Sequence, residues 1–447
     1  LSVRNLAVLE GKQLASEVRR IESRAKDLRD NYDRQISQSV GTINQLTEEI
    51  VTLNVRITQL EGGSSGKSDA GALRAARNQA VGKLTELVNA TVSEQPSGGL
   101  SVAVNGEFLV FEGQKRDISL ETADTDGESA SRLIFTDTGK ALAPTSGSVH
   151  GLTIARDEIV DGFRESLSEF ASTLIYEFNR VHSQGQGLSG FDSVTSQSRV
   201  LDAGAPLDEA GLAFAPENGS FRITLQSENG VATTREVLVR LQDDGYGETD
   251  SLTTVAAQID AIDGLTASVG GDGRLTIEAD STDAQFTFSE DTSGFLAAVG
   301  INTFFTGSSS QDIATNPELD GIKNAGKLAL RRVDPASEQE PTPGGTLENA
   351  LELASLIDKP LASLDGASIT ERYDQVVNEL AQNSTVAGSV SEGFQVFEST
   401  LGAEFEAISG VNVDEEAIEM ITLQRIFQAT GRVIQTIQEM LDTLVNL

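Results

Sequence analysis

Residues 409–447 read "SGVNVDEEAIEMITLQRIFQATGRVIQTIQEMLDTLVNL", the most regularly patterned stretch of the chain. Asn412 suits a helix N-cap, and Glu415 three residues on completes the capping-box spacing. Asp414, Glu415 and Glu416 place negative charge in the first turn, where the helix dipole favours it. Met420, Leu423, Phe427, Ile434, Ile437, Leu441 and Leu444, with Thr430 among them, then recur at alternating steps of three and four. Ile426, Val433, Met440 and Leu447 add a flanking row every seven residues. Together they make a wide apolar face along about 50 Å of helix. In water such a face promotes aggregation, so it needs a cover. That cover is either the chain's own helix at residues 14–60 or neighbouring molecules. Its place at the end of the sequence, with a heptad helix near the other end, favours neighbours, and the seam is expected to be an assembly interface.

The matching helix runs from Leu14 to Leu60. Apolar or small residues recur at Leu14, Val18, Ile21, Ala25, Leu28 and Tyr32, and on through Ile36, Val40, Ile43 and Leu46 to Leu60. All steps are threes and fours, which is a heptad-like seam with a stutter near Ile36. A continuous helix there is about 70 Å long. "GGSSGKSDAG" ends it as a loop, and a second helix is expected at 72–88.

The middle changes period. "LSVAVNGEFLVFEG" alternates around Asn105-Gly106, a strong hairpin signal. Helical spacing returns from Asp157 to His182. Residues 200–310 read as strands with short helices, one opened by Asp250 or Ser251 and another from about Ser293. "DPASEQEPTPGG" is a linker. The chain is then helical to its end, broken near Asp365-Gly366 and at "AISGVN". The expected fold class is α+β, multidomain and elongated, with both chain ends in a long helical coiled coil or bundle. The expected domains are a helical core of 1–95 with 345–447, a mixed α/β part at 96–200, a β-rich acidic insertion at 201–330 and a linker at 331–344.

Composition narrows the function. The chain has 68 acidic and 33 basic residues, a net charge of −35, so nucleic acid is an unsuitable partner. Residues 201–330 hold 21 acidic against 6 basic residues, which reads as a solvated outer surface. Cysteine is absent, which excludes disulfides and thiolate chemistry. No apolar run reaches a membrane-spanning length, and no signal peptide heads the chain.

Catalytic candidates are poor. Gly185, Gly187 and Gly190 satisfy G-x-G-x-x-G, but a helix precedes them and a loop follows, the wrong context for a dinucleotide site. "GGSSG" at 62–66 lies in a linker. His150 and His182 are the only histidines, and His182 at a helix end suits a capping or dipole role. The acidic loops "TADTDGES" and "QDDGYGETD" lack the twelve-residue calcium-loop pattern. No enzyme, cofactor or metal site is expected.

The SGVN-DEE opening, followed by Gln424, Phe427, Gln428, Ala429, Arg432 and Val433 and closed by Leu441-Asp442-Thr443-Leu444, resembles the carboxy-terminal motif of bacterial flagellar axial proteins. The nearest likeness is to the hook-associated proteins of that group. The helix ending in Asn179, His182, Gly185 and Gly187 is similar to theirs, as are the triplet Arg77-Asn78-Gln79 and the long helix through "QISQSVGTINQLTEEIVTLNVRITQLEGG". The resemblance spans residues 1–190 and 345–447. It implies a secreted structural protein exported through the flagellar type III apparatus. It also implies a ring at the hook–filament junction, with the hook protein and the second junction protein as partners and no membrane segment. Family members carry a further helical segment ahead of the position of Leu1, a partner for the terminal helix. An export chaperone is expected on the face of Ile426, Val433 and Met440. The alternative is a coiled-coil surface adhesin or a phage tail-like fibre protein.

Overall fold

The computed structural model describes residues 1–62, 70–111, 113–125, 128–226, 232–241, 249–332, 346–409 and 413–445. Side chains are described for these except at 62, 123–130, 405–409, 413–416, 433–434 and 436–445. The chain divides into two compact units, 1–378 and 379–447.

The first unit is organised on α1 (Ser2–Gly62), a 61-residue helix of about 90 Å. Its lower part packs on α4 (Asp161–Ser183), which follows α2 (Gly71–Leu87), α3 (Ser148–Ile154) and a π-helical turn at Ala155–Val160. Val8, Ala15 and Val18 share a core there with Leu167, Phe170 and Leu174 of α4. Of the seam expected through Leu14, Val18, Ile21, Ala25 and Leu28, Val18 is buried and Ile21 packs partly buried on the core, but Leu14 and Leu28 are exposed. Ala15, Glu22 and Arg29, one position further on, are buried in place of Leu14, Ile21 and Leu28. The reason lies on the facing helix. Arg164 donates from Nε and Nη2 to Glu22 Oε1 at 2.9 and 2.7 Å, and Arg29 Nε meets Asp161 Oδ1 at 2.9 Å. Arg156 of the π turn, itself fully buried, reaches Asp33 Oδ1 at 2.6 Å. A ladder of ion pairs thus replaces the apolar seam for about three turns.

Above it the apolar seam resumes as expected, with Ile36, Ile43 and Ile50 fully buried. They pack with Leu84 of α2 and with two small sheets. One has the order β1-β2-β3-β4, from β1 (Ala90–Glu94), β2 (Leu100–Val104), β3 (Glu107–Phe111) and β4 (Gln114–Lys115). The other is the hairpin β5 (Ile118–Thr125) with β6 (Glu128–Phe135). Asn105 and Gly106 form the expected two-residue turn between β2 and β3, both with positive φ (48° and 81°). Two asparagines of α1 fasten the helix to strand backbone. Asn44 exchanges hydrogen bonds with Ile118 N–H and C=O at 3.0 and 2.8 Å, and Asn54 does the same with Leu100 at 2.9 and 2.8 Å.

After β7 (Ser193–Thr195) comes the strand-rich middle. It contains β8 (Gly219–Gln226), β9 (Ala232–Val239), β10 (Leu265–Val269), β11 (Leu275–Ala279) and β12 (Gln285–Ser289), arranged as antiparallel sheets β12-β8-β9 and β10-β11-β7. Its core extends from Phe191 to Ile301 and is separate from the two cores along α1. Phe221 stacks on Phe295 at 5.4 Å within it. α5 (Leu252–Asp260) is capped by Ser251, as its sequence suggested, and α6 (Phe295–Val299) is a single buried turn. β13 (Phe305–Thr306), β14 (Ala314–Thr315), α7 (Gly321–Asn324) and α8 (Glu348–Ser355) return the chain to the α1–α4 core. The proline linker lies outside the described residues.

α9 (Ile369–Ser409) opens after the break at Asp365, where φ is +53°. It leaves the first unit near residue 378 and continues into the second. α10 (Val413–Val445) follows. The expected cap residues Asn412 and Glu415 lie outside the residues whose side chains are described.

Candidate assembly surface

α10 has the expected helix period, and its described apolar residues face solvent. Relative exposure is 57% for Met420, 60% for Leu423 and 81% for Phe427, with Ile426 of the flanking row at 56%. Ile434, Ile437, Leu441 and Leu444, with Val433 and Met440, fall on α10, but their side chains lie outside the described residues.

The sequence reading missed a second exposed stripe, on α9. Leu380, Val390, Phe394, Phe397 and Leu401 are all exposed, Phe394 by 66%. Their spacing carries the same three-and-four signal. Alanine, asparagine and glycine interrupt the stripe and dilute it, so the eye passes over it in sequence.

The motif around the end of α4 is a buried polar junction. Asn179 Oδ1 accepts from Phe304 and Phe305 N–H at 3.0 and 2.9 Å while its Nδ2 donates to Phe305 C=O at 2.9 Å. His182 is fully buried: Nδ1 lies 2.8 Å from Asn302 C=O, and Nε2 accepts from Ala329 N–H at 3.1 Å. Those partners fix the tautomer, with the proton on Nδ1. Burial pushes the imidazole down to about 4, so it is neutral near pH 7. The expected capping or dipole role of His182 is therefore corrected. A neutral ring cannot complement the helix dipole, and it bonds other segments of backbone instead.

The same junction disposes of the glycine motif. A Cβ on Gly187 would stand 2.8 Å from Lys327 O, and one on Gly190 would stand 2.8 Å from Phe286 O. These glycines admit protein backbone into the space a phosphate would need. Among the described residues no three His, Asp or Glu side chains group as metal ligands, and no helix is long and apolar enough to cross a membrane. Most of "GGSSG" and of "QDDGYGETD" lies outside the described residues, and "TADTDGES" falls at the joined ends of β5 and β6, where the side chains from 123 on are outside those described.

Arg77 of the triplet is also buried, donating to Asn54 Oδ1 at 2.9 Å and Gly98 C=O at 2.8 Å. It ties α2 to α1 and to the start of β2. Two of the motifs that carried the resemblance, at the end of α4 and around Arg77, thus serve as internal fastenings, whereas the described apolar residues of the carboxy-terminal motif are exposed.

A chain built on long helices, with small sheets between them and exposed apolar residues on its last helices, has the form of a structural subunit. Residues 1–195 match the family model of the flagellar hook-associated protein FlgK helical domain, and residues 404–447 match that of the flagellar basal body rod FlgEFG protein C-terminal region. In both regions the chain is similar to the FlgK family, that of flagellar hook-associated protein 1. It is 25% identical over 439 residues to the Escherichia coli K12 protein of that name, covering 94% of this chain and 72% of the relative. To the Salmonella typhimurium protein it is 24% identical over 445 residues, covering 94% and 73%. The flagellar hook junction protein FlgK from Burkholderia pseudomallei shares the fold, with a TM-score of 0.51 at 15% identity over 90% of this chain and 89% of that one. The molecule is a structural component of the hook–filament junction outside the cell, not an enzyme, and the adhesin or fibre alternative is not favoured.

Proposed function

We propose that the chain joins hook to filament as a thin ring, exported unfolded and assembled through the apolar face of α10. The exposed row Met420, Leu423 and Phe427 carries this reading, continued in sequence by Ile434, Ile437, Leu441 and Leu444. Buried against a neighbour, each large side chain of that row contributes about 1.5–3 kcal/mol, enough to drive association through one face. The hook protein lies on one side of the ring and the second junction protein on the other. Residues 1–95 and 345–447 act as the axial core, 96–200 as the mixed part above it and 201–330 as the acidic part turned to solvent, beyond the linker at 331–344. Before assembly, Ile426, Val433 and Met440 serve the export chaperone.

The test is complementation of a deletion strain, read by electron microscopy of filaments on hooks. The full chain restores filaments, and a version ending at Ser409 leaves bare hooks while the remainder stays folded by circular dichroism. Filaments from that truncation would remove the assembly role of α10. Changing Ile426, Val433 and Met440 together to Ser weakens chaperone binding, and unchanged binding by the triple variant sinks that assignment.

A further inference from the structure

We propose that Phe108 and Phe111 of one copy of the chain seat in the groove between α1 and α3 of the next copy, so that copies join side to side. The aromatic pair exists because of a bulge. β3 pairs with β2 through a register shift between Val102 and Ala103, and Leu109 and Val110 both turn into the core. Phe108 and Phe111 are thereby left together on the outer face of the sheet. Their rings lie 4.9 Å apart, and the residues remain 43% and 40% exposed. Ala103 lies opposite Phe108 and Gln114 opposite Phe111, so neither ring has a charge across the strand.

The groove has a volume of about 520 Å³. Gln35, Gln38 and Thr42 of α1 form one wall and Ser148, Gly151 and Leu152 of α3 the other, and none of the lining residues is charged. Both walls belong to uncharged stretches. α1 has no Asp, Glu, Lys or Arg from Gln35 to Thr47, the longest such run in the helix, and there is none from Ala141 to Ala155. Ser39 Oγ donates to Gln35 C=O at 2.9 Å and Thr42 Oγ1 to Gln38 C=O at 3.1 Å, so both hydroxyl protons are spent within α1. What that wall offers an occupant is methylene, methyl and amide surface, which suits an aromatic ring. Nothing stands within 4 Å of where a Cβ on Gly151 would be, so the floor is open to a bulky side chain.

Geometry and charge both make the occupant a second copy. Gly113 and Lys115, either side of Gln114, lie against Val55 and Glu48 of α1. At about 100° per residue those two positions are about 140° around α1 from the groove wall. α1 therefore stands between the aromatic pair and the groove of its own molecule, and the two surfaces face different neighbours. A contact between such unlike surfaces passes from copy to copy and closes a ring where the rotation permits. Like charges across a contact oppose association, so two molecules of net charge −35 meet best where both surfaces are neutral. That the contact closes the ring rests on the junction reading proposed above, whereas the contact itself does not.

The chain contains no cysteine, so single thiols report cleanly. Gln114→Cys marks the sheet beside Phe111 and Gln38→Cys marks the groove wall, both at exposed positions. The two full-length variants are mixed and treated with a short bis-maleimide. The mixture is expected to give cross-linked dimer at least tenfold faster than either variant alone. Adding Phe108→Ser and Phe111→Ser to the first variant, or Gly151→Phe to the second, is expected to remove that excess while each chain keeps the parent's circular dichroism and melting temperature. No excess from the mixture, or an excess that survives both changes, overturns the contact. In cells lacking the gene, the Gly151→Phe chain is expected to leave bare hooks; filaments on those hooks end the ring role while the cross-linking result stands. Failure of the α10 assembly reading shows separately, as filaments from the chain ending at Ser409.

Discussion

His182 Nε2 accepts the backbone N–H of Ala329 at 3.1 Å, across 147 positions of sequence. The imidazole can accept that bond only while neutral, and burial holds its pKa near 4 against an ordinary 6.5. Arg4, held at Leu328 C=O 2.5 Å away, adds positive charge on the same side. The unfolded chain therefore takes up a proton below about pH 6.5 that the fold resists down to about pH 4. Stability drains away as pH falls through that window and is unaffected above it. At about 1.4 kcal/mol per pH unit, His182 accounts for about 3 kcal/mol across the window. Urea unfolding at pH 7.5 and 4.5 checks this: His182→Gln is expected to be less stable than the parent at pH 7.5 but to lose less on acidification.

Asp291 works in the opposite direction. It is fully buried and accepts from Ser293 Oγ at 2.8 Å, Leu296 N–H at 2.9 Å and Ser183 Oγ at 3.1 Å, and burial raises its pKa. Its desolvated charge costs stability near neutrality, a cost relieved as pH falls through the raised pKa. Asp291→Asn keeps an acceptor for the short helix and removes the charge. Its stability at pH 7 is expected to stay within about 1 kcal/mol of the parent. Asp291→Ala leaves Leu296 N–H and both hydroxyls without their acceptor and is expected to lose about 2–3 kcal/mol. Thermal melts of the two variants side by side decide it.

The Glu22–Arg164 pair joins α1 to α4 with both side chains less than a tenth exposed. Removing one partner of a buried pair strands the other, a cost of about 3–5 kcal/mol. Asp161 also meets Arg164, at 3.3 Å, so the lower end of that range is expected for Glu22→Ala. A double variant, Glu22→Leu with Arg164→Met, is expected to recover most of the loss. A double variant no better than the single one would show that the pair is not what the loss measures.

Two glycine-to-alanine changes are expected to have opposite signs. Gly187→Ala drives a Cβ against Lys327 O at 2.8 Å and is expected to cost about 2 kcal/mol or more. Gly41 lies within α1 with nothing within 4 Å of a Cβ, so Gly41→Ala is expected to gain about 0.5–1 kcal/mol. Chemical denaturation of each single variant gives both signs directly.

Elements whose pattern depends on near neighbours in sequence were legible. The upper seam of α1, the Asn105-Gly106 turn and the Ser251 cap are each set by residues within a turn or two. The lower part of α1 was not, because Glu22 and Arg29 are buried only on account of Arg164 and Asp161, well over a hundred positions away. A hydrophobic period cannot register a buried charge whose partner is on another element. His182 was misread for the same reason, since both of its backbone partners are more than a hundred residues distant. On α10 the apolar row was plain from its spacing. The α9 stripe was harder to see, because Ala387, Asn383 and Gly393 thin it at the positions that give it sidedness.

α1 carries Val18 in one core and Ile36 in another without a break between them. Each residue of a helix advances the chain by about 100° and 1.5 Å, so one residue inserted between those positions would turn the whole upper face away from its sheets. An insertion of seven, two nearly whole turns, would leave the faces within about 20° of alignment while lifting one core about 10 Å from the other. Insertions that keep both faces aligned are thereby limited to lengths near whole turns, such as about seven, eleven or eighteen residues, and the distance between the two cores is written into the chain as a count of residues.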